Sequence, residues 1–377
     1  MDTTISTIKQ LEIWLDVTPV IAGKIEILSL AFLSFEPEIY FSCADMVRFL
    51  DKVETVETDQ KIICLEIDQH YAQRFPIIEC HHNPYTEELN TILSPKYEFI
   101  RNSMLGQDQI SDVILQDCLN QEIDAVVLIL VDGLSYSDVA DWRGFSCMPC
   151  FVPGLTNTSE GFQNVIGRKM PLAVRLFDLG FKNRIGYTYW QRQTNELTDI
   201  LFRTVHRMQS VNSMAEVFEH LRVGELKKSY IQIVRAGLDQ YAHSCLREDL
   251  VQKRRVTLKQ IRSDLNTIAS IFNDKGLKAF IYAISDHGIL WRDKTQLEEI
   301  DSGFGKSSPR YYGVDERAKF PEDKGRYVRV NELTYFQLDY PYIRRRLHRN
   351  EWGVHGGLSF QESIVPFIKI DTSLWAK

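Results

Sequence analysis

No run of this sequence is long and apolar enough to span a bilayer. The most apolar early stretch, residues 20–35, is broken by Lys24 and Glu26. The opening MDTT lacks the basic and then apolar pattern of a secretory leader. The expectation is therefore a soluble, cytoplasmic protein with no membrane partner. Cysteine is scarce: seven in 377 residues, scattered and odd in number, which argues against a disulfide framework. Cys147 and Cys150 have CxxC spacing. No second CxxC follows and the stretch is loop-like, so the pair reads as free loop cysteines rather than a redox or zinc pair. Cationic excess is missing too. Lys and Arg number 44 against 51 Asp and Glu, a net charge of −7, so a polyanionic partner must meet a local basic patch. There is no internal repeat and no low-complexity tract.

The composition that remains is that of a globular chain, with 44% apolar and 25% charged residues. The length suits one large domain or two unequal ones. Residues 1–118 mix short apolar runs with helix-like segments: residues 5–15 read as an amphipathic helix and residues 62–67 as a short buried strand. His81 and His82 follow Cys80, but adjacent strand residues face opposite ways. No nearby partner completes a site, so they read as ordinary surface or core histidines. At Asp124 the pattern changes. AVVLILV at 125–131 is a continuous apolar, β-branched run that stops at Asp132-Gly133. This is how a strand buried on both faces reads. Similar runs at 230–234 and 279–284 stop near Asp239 and at Asp286-His287, and a late strand covers 364–370. A helical stretch from 248 to 272 carries Leu250, Val256, Ile261, Leu265, Ile268 and Ile271 at helical spacing. The alternation predicts an α/β/α sandwich with a mainly parallel central sheet over 119–377, preceded by a smaller α/β region. Sites in such sheets form beyond the carboxyl ends of the strands.

Three apolar strands thus each deliver acids or imidazoles at their carboxyl ends: Asp132, then Asp239 with His243, then Asp286 with His287. A carboxylate at the end of a buried strand is costly unless solvated, hydrogen-bonded or metal-bound. Asp239 and His243, four apart, share a face on the first turn of a helix. Asp286-His287 before Gly288 can aim two side chains at one ion, and His355 lies in a glycine-rich turn. The donors are oxygen and nitrogen without thiolate, which suits zinc or manganese in a catalytic site. Six protein ligands exceed the need of one zinc ion and fit two. Each element also has a plainer reading. Asp132-Gly133 is turn-prone, Asp239 is an acid at a helix start, Asp286-His287-Gly288 is a strand-ending turn, and His355 is a loop histidine. These do not explain jointly why the acids and imidazoles gather at strand ends. Residues 151–160, FVPGLTNTSE, lead from a loop into a helix, where Thr156 would lie close to an anion-favouring N-terminus. The plain alternative there is a helix cap.

The order Asp, Thr, Asp-x3-His, Asp-His, His resembles the alkaline phosphatase superfamily of phosphatases, nucleotide pyrophosphatases, mutases and sulfatases. The segments LVDGLS (130–135), PGLT (153–156), ISDHG (284–288) and HGGLSFQESIVP (355–366) resemble, more narrowly, its PglZ branch. The likeness spans roughly residues 124–370. It implies two divalent ions, Zn2+ or else Mn2+. Asp132, Asp286 and His287 with the nucleophile would hold one, and Asp239, His243 and His355 the other. It makes Thr156 both ligand and nucleophile, with Thr158 as runner-up, and it implies a covalent phosphothreonine. The expected activity is phosphoester hydrolysis, above all of diesters in nucleotides or oligonucleotides. PglZ proteins resemble components of phage-defence and signalling systems, which implies protein partners of that kind. A phosphomonoesterase and a non-catalytic module of a defence complex are the alternatives; Thr156 speaks against a sulfatase. Asn157, and Lys306 and Arg310 in the basic loop GFGKSSPRYY (303–312), are candidate substrate contacts. Arg344, Arg345, Arg346, His348 and Arg349 form a basic cluster that reads as a solvated helix face before it reads as a polyanion guide.

Overall fold

The computed structural model describes residues 104–139, 142, 145–189, 205, 207–300, 308–313, 322–330 and 332–374, with three strands and a few isolated residues of the first 101. The chain divides into two compact units, Met1–Ser103 with Ala140–Arg143, and Met104–Val139 with Gly144–Lys377. In the first unit β1 (Glu38–Phe41), β2 (Lys61–Cys64) and β3 (Ile77–Glu79) form a parallel sheet with β2 in the middle. The strand expected at 62–67 is thus found as Lys61–Cys64. The helix expected at 5–15, and His81 and His82, lie outside the described residues.

The second unit begins with β4 (Leu105–Gly106), α1 (Ile110–Asn120), β5 (Ala125–Asp132), β6 (Ser146–Phe151), α2 (Thr158–Ile166), α3 (Leu172–Asp178) and β7 (Asn183–Tyr189). It continues with β8 (Arg207–Ser210), α4 (Met214–Val223), β9 (Ser229–Ala236), α5 (Asp239–His243), α6 (Arg247–Asp274) and β10 (Ala279–Ser285). The short strands β11 (Leu290–Trp291), β12 (Glu298–Glu299), β13 (Tyr311–Gly313), β14 (Gly325–Val330), β15 (Leu333–Leu338), β16 (Tyr342–Ile343) and β17 (Gly353–Val354) follow. The unit closes with α7 (Phe360–Ser363) and β18 (Ile364–Asp371).

Eight strands form one sheet in the order β4-β6-β18-β10-β5-β9-β7-β8. Its pairs are parallel except those of β18, which runs antiparallel to both neighbours. Every residue of β5 and β10 is buried, the burial that their unbroken apolar runs predict. The even positions of β5, Val126, Leu128 and Leu130, pack with Phe280, Tyr282 and Ile284 of β10 beneath α1, α2 and α3. Those helices contribute Ile110, Ile114, Phe162, Val165, Leu172 and Leu176. Alternation sends Val127, Ile129 and Val131 to the other face, where α6 packs on β10 and α4 on α6. The result is the three-layered α/β fold with a mainly parallel sheet that the sequence predicts. One boundary moves. Residue 119 would cut α1 at its end, yet Ile110 and Ile114 are fully buried against the large sheet, so the unit starts at Met104. Cys147 and Cys150 are free and lie in β6 rather than in a loop. Burial pushes the Cys147 thiol up to about 12, which leaves it a poor thiolate donor. No helix among the described residues is long and apolar enough to cross a membrane.

Between β10 and β18 the chain builds three small sheets, β11-β17, β12-β16 and β13-β15-β14. They matter because His355 follows β17 directly.

Candidate metal centre

The strands β10, β5 and β9 are adjacent in the sheet, with β5 in the middle. Asp132 is the last residue of β5, Asp286 is the first after β10, and Asp239 follows β9 by three residues as the first residue of α5. The sheet itself therefore brings the three acids together. The turn after Asp132 depends on Gly133, whose φ of 72° is costly for any side chain. Its N–H donates to Asp286 Oδ1 at 2.9 Å, and His287 N–H donates to the same oxygen at 2.9 Å. One face of that carboxylate is thereby fixed and the other is aimed inward. Gln107 holds the strand end from below: its amide donates to Ser285 O and Asp286 O at 2.7 and 2.9 Å. The Ser285 hydroxyl receives the Leu134 N–H at 2.8 Å. Helix α2 approaches so closely at Gly161 that a Cβ there would stand 2.1 Å from Asp286 O.

The imidazoles of His287, fully buried, and His355, partly buried, are oriented in one way. His287 Nδ1 lies 2.9 Å from Gly288 O, and His355 Nδ1 lies 3.1 Å from Thr156 O. A carbonyl only accepts, so each Nδ1 carries the proton and each Nε2 presents a lone pair. His287 and His355 stack with centroids 4.0 Å apart. His355 Nε2 is 3.4 Å from Asp239 Oδ1 and 3.2 Å from His243 Nε2, which is 3.2 Å from Asp239 Oδ2. His287 Nε2 is 3.5 Å from Asp286 Oδ2. Donor atoms of Asp239, His287 and His355 lie within 4.8 Å of one another, as do those of Asp132, Asp286 and His287. His243, on the outer turn of α5, is the exposed member.

These residues fit divalent cations. Lone pairs of buried carboxylates and imidazoles converge, while Asp239 Oδ1 and Asp286 Oδ2 are buried without a hydrogen-bond partner. Such atoms are rare unless an ion or water satisfies them. Nδ1 atoms tied to carbonyls are the usual support of a metal-ligating histidine. His287 belongs to both groups, but its Nε2 has a single lone pair and serves one ion at a time. Burial pushes the Asp286 carboxyl up to about 7. It also lowers His287, and it takes His355 down to about 4, so both rings are neutral, the ligating form. Burial opposes ionisation of Asp239; the His355 and His243 rings, when they carry a proton, outweigh it and hold its carboxyl below the usual range, so in acid the charge of the pair stays on the carboxylate.

The structure separates the two threonines. Thr156 is fully buried; its hydroxyl donates to Gly357 O at 2.7 Å and accepts from Gly356 N–H at 3.0 Å. Thr158 opens α2, and its Oγ1 lies 3.2 Å from His287 Nε2. The hydroxyl that faces the cluster is therefore that of Thr158, while Thr156 lines the turn behind His355. Asn157 caps α2, accepting from Glu160 N–H at 2.9 Å. Arg310 is corrected as a substrate contact. It is fully buried, with Nε and Nη2 on Glu362 at 3.0 and 2.7 Å and Nη1 on the carbonyls of Asp339 and Tyr342. Lys306 lies outside the described residues. The basic cluster at 344–349 lies between β16 and β17 and not on a helix. Arg345 there forms a two-pronged pair with Glu351 and Arg344 lies over the Tyr312 ring. Sequence reading missed the supports Gln107, Gln337 and Ser285. No local pattern marks them, because each acts on backbone far away in the chain.

No family model matches the chain, and no curated protein is similar to it. Among solved structures it is similar to murine ectonucleotide pyrophosphatase/phosphodiesterase 5, with a TM-score of 0.44 and 10% identity over 64% of this chain and 87% of that one. It is also similar to the zinc complex of the C-terminal periplasmic domain of EptC from Escherichia coli, with a TM-score of 0.34 and 11% identity over 47% and 68% of the two chains. A third is TAB5 alkaline phosphatase, mutated and with magnesium bound, with a TM-score of 0.32 and 8% identity over 66% and 92%. At these levels the functional reading rests on the residues themselves.

Proposed function

We propose that the chain is a metal-dependent phosphoester hydrolase with Thr158 as its nucleophile. One observation carries the reading: acceptor atoms of Asp132, Asp239, Asp286, His287 and His355 converge beyond three adjacent strands, and the Thr158 hydroxyl at the start of α2 stands 3.2 Å from His287 Nε2. Asp132, Asp286 and His287 would hold one ion, and Asp239, His243 and His355 the other. Divalent ions bound there supply positive charge that lowers the pKa of a neighbouring hydroxyl and offsets charge on phosphoryl oxygens. The chain's own part is positional. Helix α2 aims Thr158 Oγ1 into the cluster and offers its first N–H groups and dipole to a phosphoryl oxygen. As the Thr158 Oγ1–P bond forms, the hydroxyl gives up its proton to solvent and the bond from phosphorus to the leaving oxygen breaks; that oxygen takes a proton from solvent and departs as an alcohol, leaving a phosphothreonine. In-line attack by water then breaks the Oγ1–P bond, returning the hydroxyl and releasing the phosphate product. Asp286, fixed on one side by two N–H groups, keeps its other oxygen facing this centre.

The substrate in this reading is a diester of the nucleotide or oligonucleotide class, met in the cytoplasm, with a role of the PglZ type in defence or signalling. The withdrawal of Arg310 into its pair with Glu362 supports a diester, because a monoester dianion gains most from a free guanidinium. The test is a screen of aryl phosphodiesters and monoesters with Zn2+ or Mn2+, run on wild type, Thr158→Ala and Thr156→Val. Diester turnover lost in Thr158→Ala supports the reading. Monoester preference overturns the substrate class, and no turnover of either overturns the activity.

A further inference from the structure

The turn His355-Gly356-Gly357 is held from outside the catalytic sheet. Gln337, on β15 of the small three-stranded sheet, is fully buried. Its Nε2 lies 3.0 Å from Gly154 O, 3.1 Å from Gly356 O and 3.0 Å from Gly357 O. One amide thus ties the loop before Thr156 to the turn after His355. Thr156 closes the same knot through Gly356 N–H and Gly357 O and receives His355 Nδ1 on its carbonyl. On the far side Gly357 N–H donates to Glu362 Oε1 at 2.9 Å, and Glu362 also takes the Ser359 hydroxyl at 2.6 Å and Arg310. Buried amides and ion pairs are costly where apolar residues would pack as well. Here they converge on a turn of two glycines whose one chemical group is the His355 ring.

We infer that Gln337 is a positioning residue for His355, so that the small sheet β13-β15-β14 sets the geometry of one of the two metal sites. This rests on the metal-centre reading above. With the loop 154–156 and the turn 355–357 bound to one amide, the Thr156 carbonyl stays under His355 Nδ1, and Nε2 stays aimed at Asp239 and His243. Without the amide the two segments keep the bonds of Thr156, from its hydroxyl to Gly356 and Gly357 and from its carbonyl to His355 Nδ1, and the ring gains freedom. Gln337 touches neither the ions' donor atoms nor Thr158, so the site of Asp132 and Asp286 is outside its reach.

The experiment is Zn2+ binding to the metal-free full-length chain, read by competition with a chromophoric chelator. Wild type, Gln337→Met, Gln337→Asn and His355→Ala are compared. Gln337→Met keeps the volume and removes the donors; Gln337→Asn keeps an amide one methylene too short. The expected result is two wild-type sites, of which the one removed by His355→Ala weakens about 10–100-fold in Gln337→Met, the loss usual for supports of metal ligands. The other site keeps its affinity, and Gln337→Asn weakens the same site. Equal weakening of both sites, or wild-type affinity in either folded variant, overturns the inference. If Gln337→Met does not fold, Gln337→Asn decides alone. Failure of wild type itself to bind Zn2+ overturns the metal-centre reading instead, so the two failures are distinguishable.

Discussion

Replacing Thr158 by alanine and Thr156 by valine perturbs two hydroxyls two residues apart in opposite ways. Thr158 Oγ1 has the His287 ring as its partner at 3.2 Å and is only half-buried. Its loss costs about 0.5–1.5 kcal/mol of stability. If it is the nucleophile, turnover falls by at least about 10³-fold, or about 4 kcal/mol in the barrier. Thr156→Val keeps shape but strands the buried Gly356 N–H, while Gly357 O keeps Gln337 at 3.0 Å. The expected cost is about 1–3 kcal/mol of stability, with turnover reduced only as far as His355 loosens. The assay pairs urea denaturation with diester turnover, and mass spectrometry looks for a phosphorylated chain after quenching. The expected pattern is Thr158→Ala stable, inactive and never phosphorylated, and Thr156→Val less stable but active. A stable, inactive Thr156→Val beside an active Thr158→Ala would refute the assignment.

Other outcomes follow from the same contacts. Asp286 is raised to about 7 by burial, above its unfolded value, so its ionisation costs the metal-free fold stability as pH rises from about 4 to 7. Metal-free Asp286→Asn, which keeps the acceptor for Gly133 N–H, should gain on wild type across that window while losing metal affinity; a stability difference that does not change with pH would count against this. Glu351 behaves in the opposite sense. Burial opposes its ionisation, but two hydrogen bonds from Arg345 and one from His348 N–H win and hold its carboxyl below the ordinary 4.5. Its contribution is therefore present above about pH 4.5 and lost as pH falls through the lower folded value. Glu351→Gln should cost about 1–3 kcal/mol at pH 7, and the gap to wild type should close in acid; a gap that persists at pH 3 contradicts it. Gly161→Ala puts a methyl 2.1 Å from Asp286 O, so it should cost about 1–3 kcal/mol and weaken metal binding; unchanged binding would show that α2 does not fix Asp286.

The large sheet was legible because burial on both faces leaves a plain record: the runs before Asp132, near Asp239 and before Asp286 are β5, β9 and β10 almost residue for residue. Their placement side by side was not legible, since strand order is a property of crossovers and not of local composition. The choice between Thr156 and Thr158 was also hidden. Both precede a helical pattern, and what separates them is the turn at Gly356 and Gly357, 200 residues away, which takes the Thr156 hydroxyl. Arg310 looked like a surface cation because its partner Glu362 is 52 residues distant. The unit that α1 joins was hidden for a similar reason. Its contacts with Phe162 and Leu172 decide which unit it joins, and those residues come later in the chain.

The most direct measurement is the metal content of the purified full-length chain, with phosphodiester turnover followed before and after removal of the metal. Close to two divalent ions per chain are expected, with loss of turnover when they are stripped and recovery when Zn2+ or Mn2+ is returned. A metal-free chain that hydrolyses the same diester at full rate would contradict it.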